Sequence, residues 1–344
     1  MLLSVTYRYI VGIDVSKKKL NLVLLDRKTT VFQELEVANT SKGFARIGRW
    51  LDSHKAGHAE TLLCSEHTGR YGEHLLAWST RQHWPHAVLS TRTLEKTGPE
   101  HHRKSDRYDA RQLAIYGSKN SEQVRLSKAP RPVVRQLRRL HAERRDLVAQ
   151  RARLKQKHGE ADYHEANMES IKQLWQEQMD LLSEHIDQLK EQIEQLIRED
   201  DALNERYQLM RTAPGIGPVI GTYWLCLFAG QPELNARRIS SRFGFAPHAH
   251  DSGSSVNKPP RSARYGNATM RSYMHQAARS VSTHKAHYKA YLERMTEEEG
   301  KPELLVINNI INKLIRLYCS MWNNQTEYDP KYMEKMKKKY EKSA

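Results

Sequence analysis

Two short apolar runs each end in an acid, TYRYIVGID at Asp14 and ETLLCSE at Glu66, and two further acids, Asp106 and Asp109, open a helical segment downstream. Runs of this length, rich in β-branched and aromatic residues and bounded by polar ones, read as buried strands. Carboxylates are expensive to bury, so acids closing two buried strands are expected together at one edge of a sheet. Asp106 and Asp109 stand three residues apart and project from one face of their helix. Basic residues crowd this pair, among them Lys104 and Arg107 in the stretch KSDRYDA. The ordinary reading of Asp-x-x-Asp is an N-capping Asp106 beside a solvated acid. Four carboxylates from separated places in a basic chain point instead to a divalent metal working on a phosphate backbone. Oxygen ligands of this kind suit Mg²⁺, with Mn²⁺ also fitting.

Charge supports a polyanionic partner. The 344 residues carry a formal net charge of +16, which favours DNA or RNA over other classes of ligand. The charge is also unevenly placed. Residues 101–157 hold 17 Lys/Arg against 5 Asp/Glu, whereas residues 160–206 hold 4 against 14. Blocks of this size imply separate surfaces with separate partners. No apolar run approaches the roughly 18 residues of a spanning helix, so no membrane association is expected. Cys64, Cys226 and Cys319 are scattered and form neither a disulfide framework nor a zinc motif.

The order of elements predicts a mixed sheet. Residues 6–39 read as three strands, SKGFARIGRWLDSH as a helix capped by Ser41, and ETLLCSE as a fourth strand. A helix over 68–82, a strand at HAVLST and the helix opening at Asp106 complete a βββαβαβα pattern with helices on the sheet faces. With acids ending the first and fourth strands and opening the last helix, this is the arrangement of a ribonuclease-H-like nuclease.

A helical block follows. Val133, Leu137, Leu140, Arg144, Leu147, Arg151 and Leu154 alternate in steps of four and three. So do Trp175, Met179, Leu182, Ile186, Leu189, Ile193 and Leu196. The second series is a full coiled-coil seam, and two arginines interrupt the first. An antiparallel arm with its tip near Gly159 and a dimer seam both fit, with dimerisation preferred; two amphipathic helices of one bundle share the spacing. Then comes Pro214-Gly215-Ile216-Gly217, whose turn and following apolar helix resemble a helix-hairpin-helix that holds a DNA phosphate on backbone amides. A Gly/Ser/Pro-rich loop containing DSGSS leads to a basic helix from about Asn267, and the apolar helix LLVINNIINKLIRLYCSMW is expected to pack on the core. The expected divisions are a nuclease domain at 1–128, a coiled-coil arm at 129–206, a mainly helical domain at 207–325 and a basic tail at 326–344.

Taken together, GIDVSKKKL, SEHTGRYG, KSDRYDARQLA, PGIG and DSGSS resemble the IS110 family of insertion-sequence transposases, the DEDD recombinases with a RuvC-like N-terminal domain. The resemblance runs from Tyr9 to about Tyr318. It implies that Asp14, Glu66, Asp106 and Asp109 are the metal-binding acids. It implies that Ser252 is a nucleophile that holds one DNA strand as a 5′-phosphoserine, with Ser254 and Ser255 as substitutes. It further implies target and donor DNA and a structured bridge RNA as partners. A homo-oligomer is implied as well, a dimer assembling to a tetramer, in which one subunit's nuclease domain meets another's serine domain. The setting would be the prokaryotic cytoplasm, at the nucleoid. Lys104, Arg107, Arg138, Arg139, Gly215, Gly217, Arg261, Arg264 and Arg271 are the candidate nucleic-acid contacts. His67 and Ser105 depart from the usual family residues without removing a ligand.

Three other readings compete. A structure-specific endonuclease resembling a Holliday-junction resolvase would use the four acids but leave the C-terminal half idle. A non-enzymatic nucleoprotein would make the acids coincidental. An actin-like sugar kinase needs a glycine-rich phosphate loop after the first strand, where this chain has VSKKKL.

Overall fold

The computed structural model describes residues 7–89, 105–163, 168–252, 256–262 and 266–331, with 247–262 as backbone only. These fall into two compact units, residues 1–130 and 131–344.

In the first unit, β1 (Tyr9–Val15), β2 (Lys19–Asp26), β3 (Val31–Ala38), α1 (Ser41–Ser53), β4 (Thr61–Glu66), α2 (Glu73–Arg81), β5 (His86–Leu89) and α3 (Asp106–Asn120) follow in order. The sheet runs β3-β2-β1-β4-β5. β1, β2 and β3 are antiparallel neighbours, whereas β4 lies parallel to β1 and β5 parallel to β4. This mixed order is compatible with a ribonuclease-H-like core. Successive side chains point to opposite faces. Val11, Ile13, Leu20 and Leu22 therefore pack against Phe44, Ile47, Leu51 and Trp78 of α1 and α2, while Ile10, Leu25, Leu62 and Cys64 meet Leu113 and Ala114 of α3. Both faces are covered, which is why β1 and β2 read as nearly continuous apolar runs. Among the buried polar residues of this unit, His86 lies between the hydroxyls of Ser65 (2.9 Å) and Ser79 (2.8 Å), and burial holds its pKa down at about 4.

α3 approaches the sheet unusually closely. Gly12 sits beneath it, and a methyl group there would collide with the Ala110 carbonyl oxygen and the Ala114 amide. Ala110, Ala114 and Gly117, four and three residues apart, present a flat helix face to β1 and β4.

Two local expectations are corrected, and the ordinary capping role for Asp106 is excluded. Thr40, not Ser41, caps α1, its side chain accepting from the Gly43 amide at 3.3 Å. The helix expected from residue 68 begins only at Glu73, because Gly69 takes a left-handed φ of 60° and Gly69–Gly72 forms a 3₁₀ turn. The cap of α3 is Ser105, whose hydroxyl accepts from the Tyr108 amide at 3.2 Å, so Asp106 is not consumed as a cap.

The second unit holds α4 (Pro132–Glu160), α5 (Glu169–Arg198), α6 (Asp201–Arg211), α7 (Pro218–Phe228), α8 (Ala236–Arg242), β6 (Pro247–Ser252), β7 (Val256–Ser262), α9 (Ala268–His284), α10 (Ala286–Glu293) and α11 (Glu303–Asn324). α4 and α5 pack along one another as an antiparallel hairpin within the single chain. Arg151, one of the two arginines in the first seam, donates to the Ser183 hydroxyl at 2.9 Å. The hairpin's base enters the main core through Val134, Leu137, Ile193 and Ile197, beside Trp224, Met274 and the inner face of α11. The α6–α7 turn is held by the Tyr318 hydroxyl donating to the Pro214 carbonyl at 2.7 Å, with Gly215 at φ 81°. The expected loop around residues 247–262 is a β-hairpin, β6 pairing antiparallel with β7 and Ser252 opposite Val256. Pro259 and Pro260 fall where the register shifts between the His248–Arg261 and His250–Lys258 pairs, an irregularity at which the ladder asks no amide of them.

The fit at Gly12 yields a prediction. Gly12→Val should lower stability by about 1–3 kcal/mol through overpacking. Gly48→Ala, in α1 where an added methyl meets nothing within 4 Å, should be neutral or stabilising by up to about 1 kcal/mol. Urea denaturation of the two variants checks the contrast.

Candidate catalytic site

Asp14 lies on the α3 side of β1, on the face shared with Gly12 and two residues beyond it. The parallel register pairs Ile13 with Ser65, so Glu66, the last residue of β4, follows beside Asp14. Asp106 and Asp109 occupy the first turn of α3. The four acids therefore reach one sheet edge from two parallel strand ends and one helix start. Their proximity is visible in the electrostatics of Asp14. Its carboxyl is raised to about 6, first by burial and then by the charges of Asp106, Asp109 and Glu66. A single acid repelled by three others is what a site awaiting positive charge looks like.

Lys19, in the lysine run after the first strand, supplies the nearest cation. Its Nζ lies 2.9 Å from Asp106 Oδ2 and 3.4 Å from Glu36 Oε2. The hydrogen bond to Asp106 raises the lysine's pKa. Both ends of the Asp106 pair are about half exposed, so it contributes little to stability. Sequence reading overlooked Lys19, although VSKKKL beside GID was the available signal. Asn21 was overlooked too. It pairs with Asp14 across the β1–β2 ladder, and its amide nitrogen is buried with no hydrogen-bond partner among the described residues. Arg107 meets Glu34 at 3.6 Å. Lys104 lies outside the described residues.

The donor set is all carboxylate oxygen, the type a hard divalent cation prefers. Among the described residues no three His, Cys, Asp or Glu side chains are gathered tightly enough to hold a metal, and Asp106 engages Lys19 instead. The residues fit such an ion by donor type, and holding one would require the carboxylates to draw closer than they stand here, with Asp106 exchanging its lysine for it.

The remaining candidates belong to the second unit. Ser252 ends β6, at the tip-side end of the hairpin; its side chain, that of Arg261, and all of Ser254, Ser255 and Arg264 lie outside the described residues. Arg138 donates through Nε to the Cys226 carbonyl, tying α4 to α7. Arg139 is exposed one residue on, and Arg271 stands in the first turn of α9. Gly215 packs against Ala277 and Tyr318, so its left-handed backbone has a packing reason of its own, whereas Gly217 is the N-cap residue just before α7.

Residues 11–161 match the model of the IS110 DEDD transposases, and residues 207–293 match one described as "Transposase IS116/IS110/IS902 family". The chain belongs to the IS110 family of transposases and recombinases, DNA-processing enzymes whose DEDD type implies dependence on a divalent metal. Two curated relatives are similar over nearly the whole length: the pilin gene-inverting proteins of Moraxella lacunata and Moraxella bovis. Each is 26% identical over 338 residues, covering 96% of this chain and 100% of the relative.

The state of Asp14 gives a pH prediction. A free aspartate titrates near 3.8 and Asp14 in the folded chain near 6. The fold therefore suffers no penalty from this group below about pH 4, where both states are protonated; the penalty grows as pH rises through 6 and is then complete. Asp14→Asn should melt with wild type at pH 4 and above it at pH 7. Thermal melts in the presence of a chelator check this, and equal melting at both pH values would remove the like-charge cluster.

Proposed function

We propose that this protein is an RNA-guided DNA recombinase that cuts and rejoins strands through Ser252. In this reading Asp14, Glu66, Asp106 and Asp109 hold Mg²⁺, or Mn²⁺ in its place. The observation that carries it is the convergence of four acids on one sheet edge, with Asp14 driven to about 6 by burial and the other three. A bound divalent ion would stabilise the negative charge that develops on the phosphate oxygens. Ser252 Oγ attacks the phosphorus, the bond to the 3′ oxygen breaks, and the serine's proton ends on that leaving oxygen. The 5′-phosphoserine retains the phosphodiester linkage until a new 3′ hydroxyl attacks and restores the serine. No external energy source is needed, because each step exchanges one phosphodiester for another.

The two halves of the chemistry lie in different units, which supports a site completed between subunits of a homo-oligomer, a dimer pairing into a tetramer. Sequence choice would come from a structured bridge RNA paired to target and donor DNA. The basic block 101–157, with Arg107, Arg138 and Arg139, together with Gly217, Arg261 and Arg271, would hold phosphates without reading bases. DNA inversion, which the names of the pilin gene-inverting relatives state, is one outcome available to such strand exchange.

End-labelled donor DNA, the element's RNA, Mg²⁺ and purified protein test the reading. Wild type should retain label on Ser252 under denaturing conditions. Asp14→Ala should lower cleavage by about 10²–10³-fold, as loss of a central electrostatic group does, and Ser252→Ala should abolish capture. Normal cutting by Ser252→Ala would instead identify a metal-dependent endonuclease of the resolvase kind.

A further inference from the structure

A groove of about 1190 Å³ in the second unit lies between α8, α10 and α11. It exceeds the roughly 300–1,000 Å³ of small-molecule clefts, and its size suits a polymer strand. α11 turns Val306, Ile310 and Leu314 into the core, while Asn309, Lys313 and Arg316, spaced by four and three, form a stripe along the groove. That stripe is about 10 Å long at the helical rise of 1.5 Å per residue. Arg237 of α8 adds a third cation and Ser240 a hydroxyl, and no Asp or Glu lines the groove among the described residues.

The cations are positioned yet uncompensated. Lys313 Nζ sits 3.2 Å from the centroid of the Tyr291 ring, which holds the ammonium on an aromatic face. Burial, then Arg294 and Arg316, push the lysine's pKa down. Elsewhere on this unit exposed cations meet acids: Arg279 pairs with Glu303, Lys289 with Glu293, and Arg294 and Lys301 with Glu299. Arg237, Lys313 and Arg316 form no ion pair among the described residues. Clustered like charges with acids withheld repel one another, and an anion spanning the stripe removes that repulsion. Lysine, arginine, asparagine and serine are the side chains that bind phosphate oxygens.

We propose that this groove binds the phosphodiester backbone of a nucleic-acid strand, at a site separate from the four carboxylates. The proposal rests on the reading of the chain as a nucleic-acid enzyme but uses none of its chemistry. DNA and RNA share the backbone that the groove would grip, so both are tested.

The experiment measures anisotropy of labelled duplex DNA, single-stranded DNA and RNA of about 30 nucleotides against full-length protein across a salt series. Removing one cation–phosphate interaction lowers the slope of log K against log salt by about 0.9 for duplex DNA and 0.7 for a single strand. The variant R237Q/K313Q/R316Q should bind at least one of the three probes about tenfold or more weakly, with its slope lowered by about 2–3. The probe most affected identifies the strand. The charge-conserving K313R/R316K should keep the wild-type slope. If the triple variant melts early, the single exposed substitutions R237Q and R316Q carry the test, each lowering the slope by about 1. Unchanged slopes in all variants, with wild type binding normally, would overturn the groove and leave the enzyme reading intact. Unchanged binding with altered sedimentation would show that the groove takes an acidic segment of a second copy, and would also overturn it. Failure of wild type to bind any probe would overturn the functional reading itself.

Discussion

The close approach of α3 to β1 at Gly12 is the contact on which the candidate site depends. α3 carries two of the four acids in its first turn, and it can lie flat on the sheet only because Gly12 leaves room for the Ala110 carbonyl and the Ala114 amide. Ala110, Ala114 and Gly117 extend the same tight contact along the helix. A strand position without a side chain is normally a weakness. Here it sets the separation between Asp14 and the Asp106–Asp109 pair, and through that separation the repulsion felt by Asp14.

That repulsion is a stability cost placed where positive charge is required. Asp14 is half-buried beside three acids, and its carboxyl rises to about 6 as a result. Lys19 offsets part of the local negative charge through Asp106, and because the pair is exposed an incoming cation can replace it at small cost. Ser105 matters for the same reason. By capping α3 with its own hydroxyl it leaves the Asp106 carboxylate free of backbone duty.

The second unit solves a different problem, that of anchoring a long hairpin on a helical core. α4 and α5 are anchored at their base by Val134, Leu137, Ile193 and Ile197, which share a core with α7, α9 and α11. Farther out the seam is partly polar, and Arg151 finds Ser183 there. α11 serves two surfaces at once, its apolar face closing the core and its Asn309–Lys313–Arg316 edge lining the cationic groove.

Much of this was legible in the chain. Alternating apolar residues located β1 to β5, heptad spacing located the arm, and carboxylates at the ends of apolar runs marked Asp14 and Glu66, because those signals are local and follow the periods of strand and helix. The cap of α1 was misplaced by one residue at Thr40, since neighbouring side-chain oxygens compete and only the extended backbone at the true cap decides between them. The β6–β7 hairpin was hidden by Gly, Ser and Pro, residues that ordinarily signal loops. What the sequence alone determined was the inventory: four acids, a basic chain, a helical arm and the order of strands. Only the tertiary structure decided that α4 and α5 pair along one another, that Lys19 rather than a neighbouring lysine reaches Asp106, and that Arg237 of α8 shares an acid-free groove with Lys313 and Arg316 of α11. Each of those depends on which side chains meet across the fold, and local periodicity does not encode distances between residues far apart in the chain.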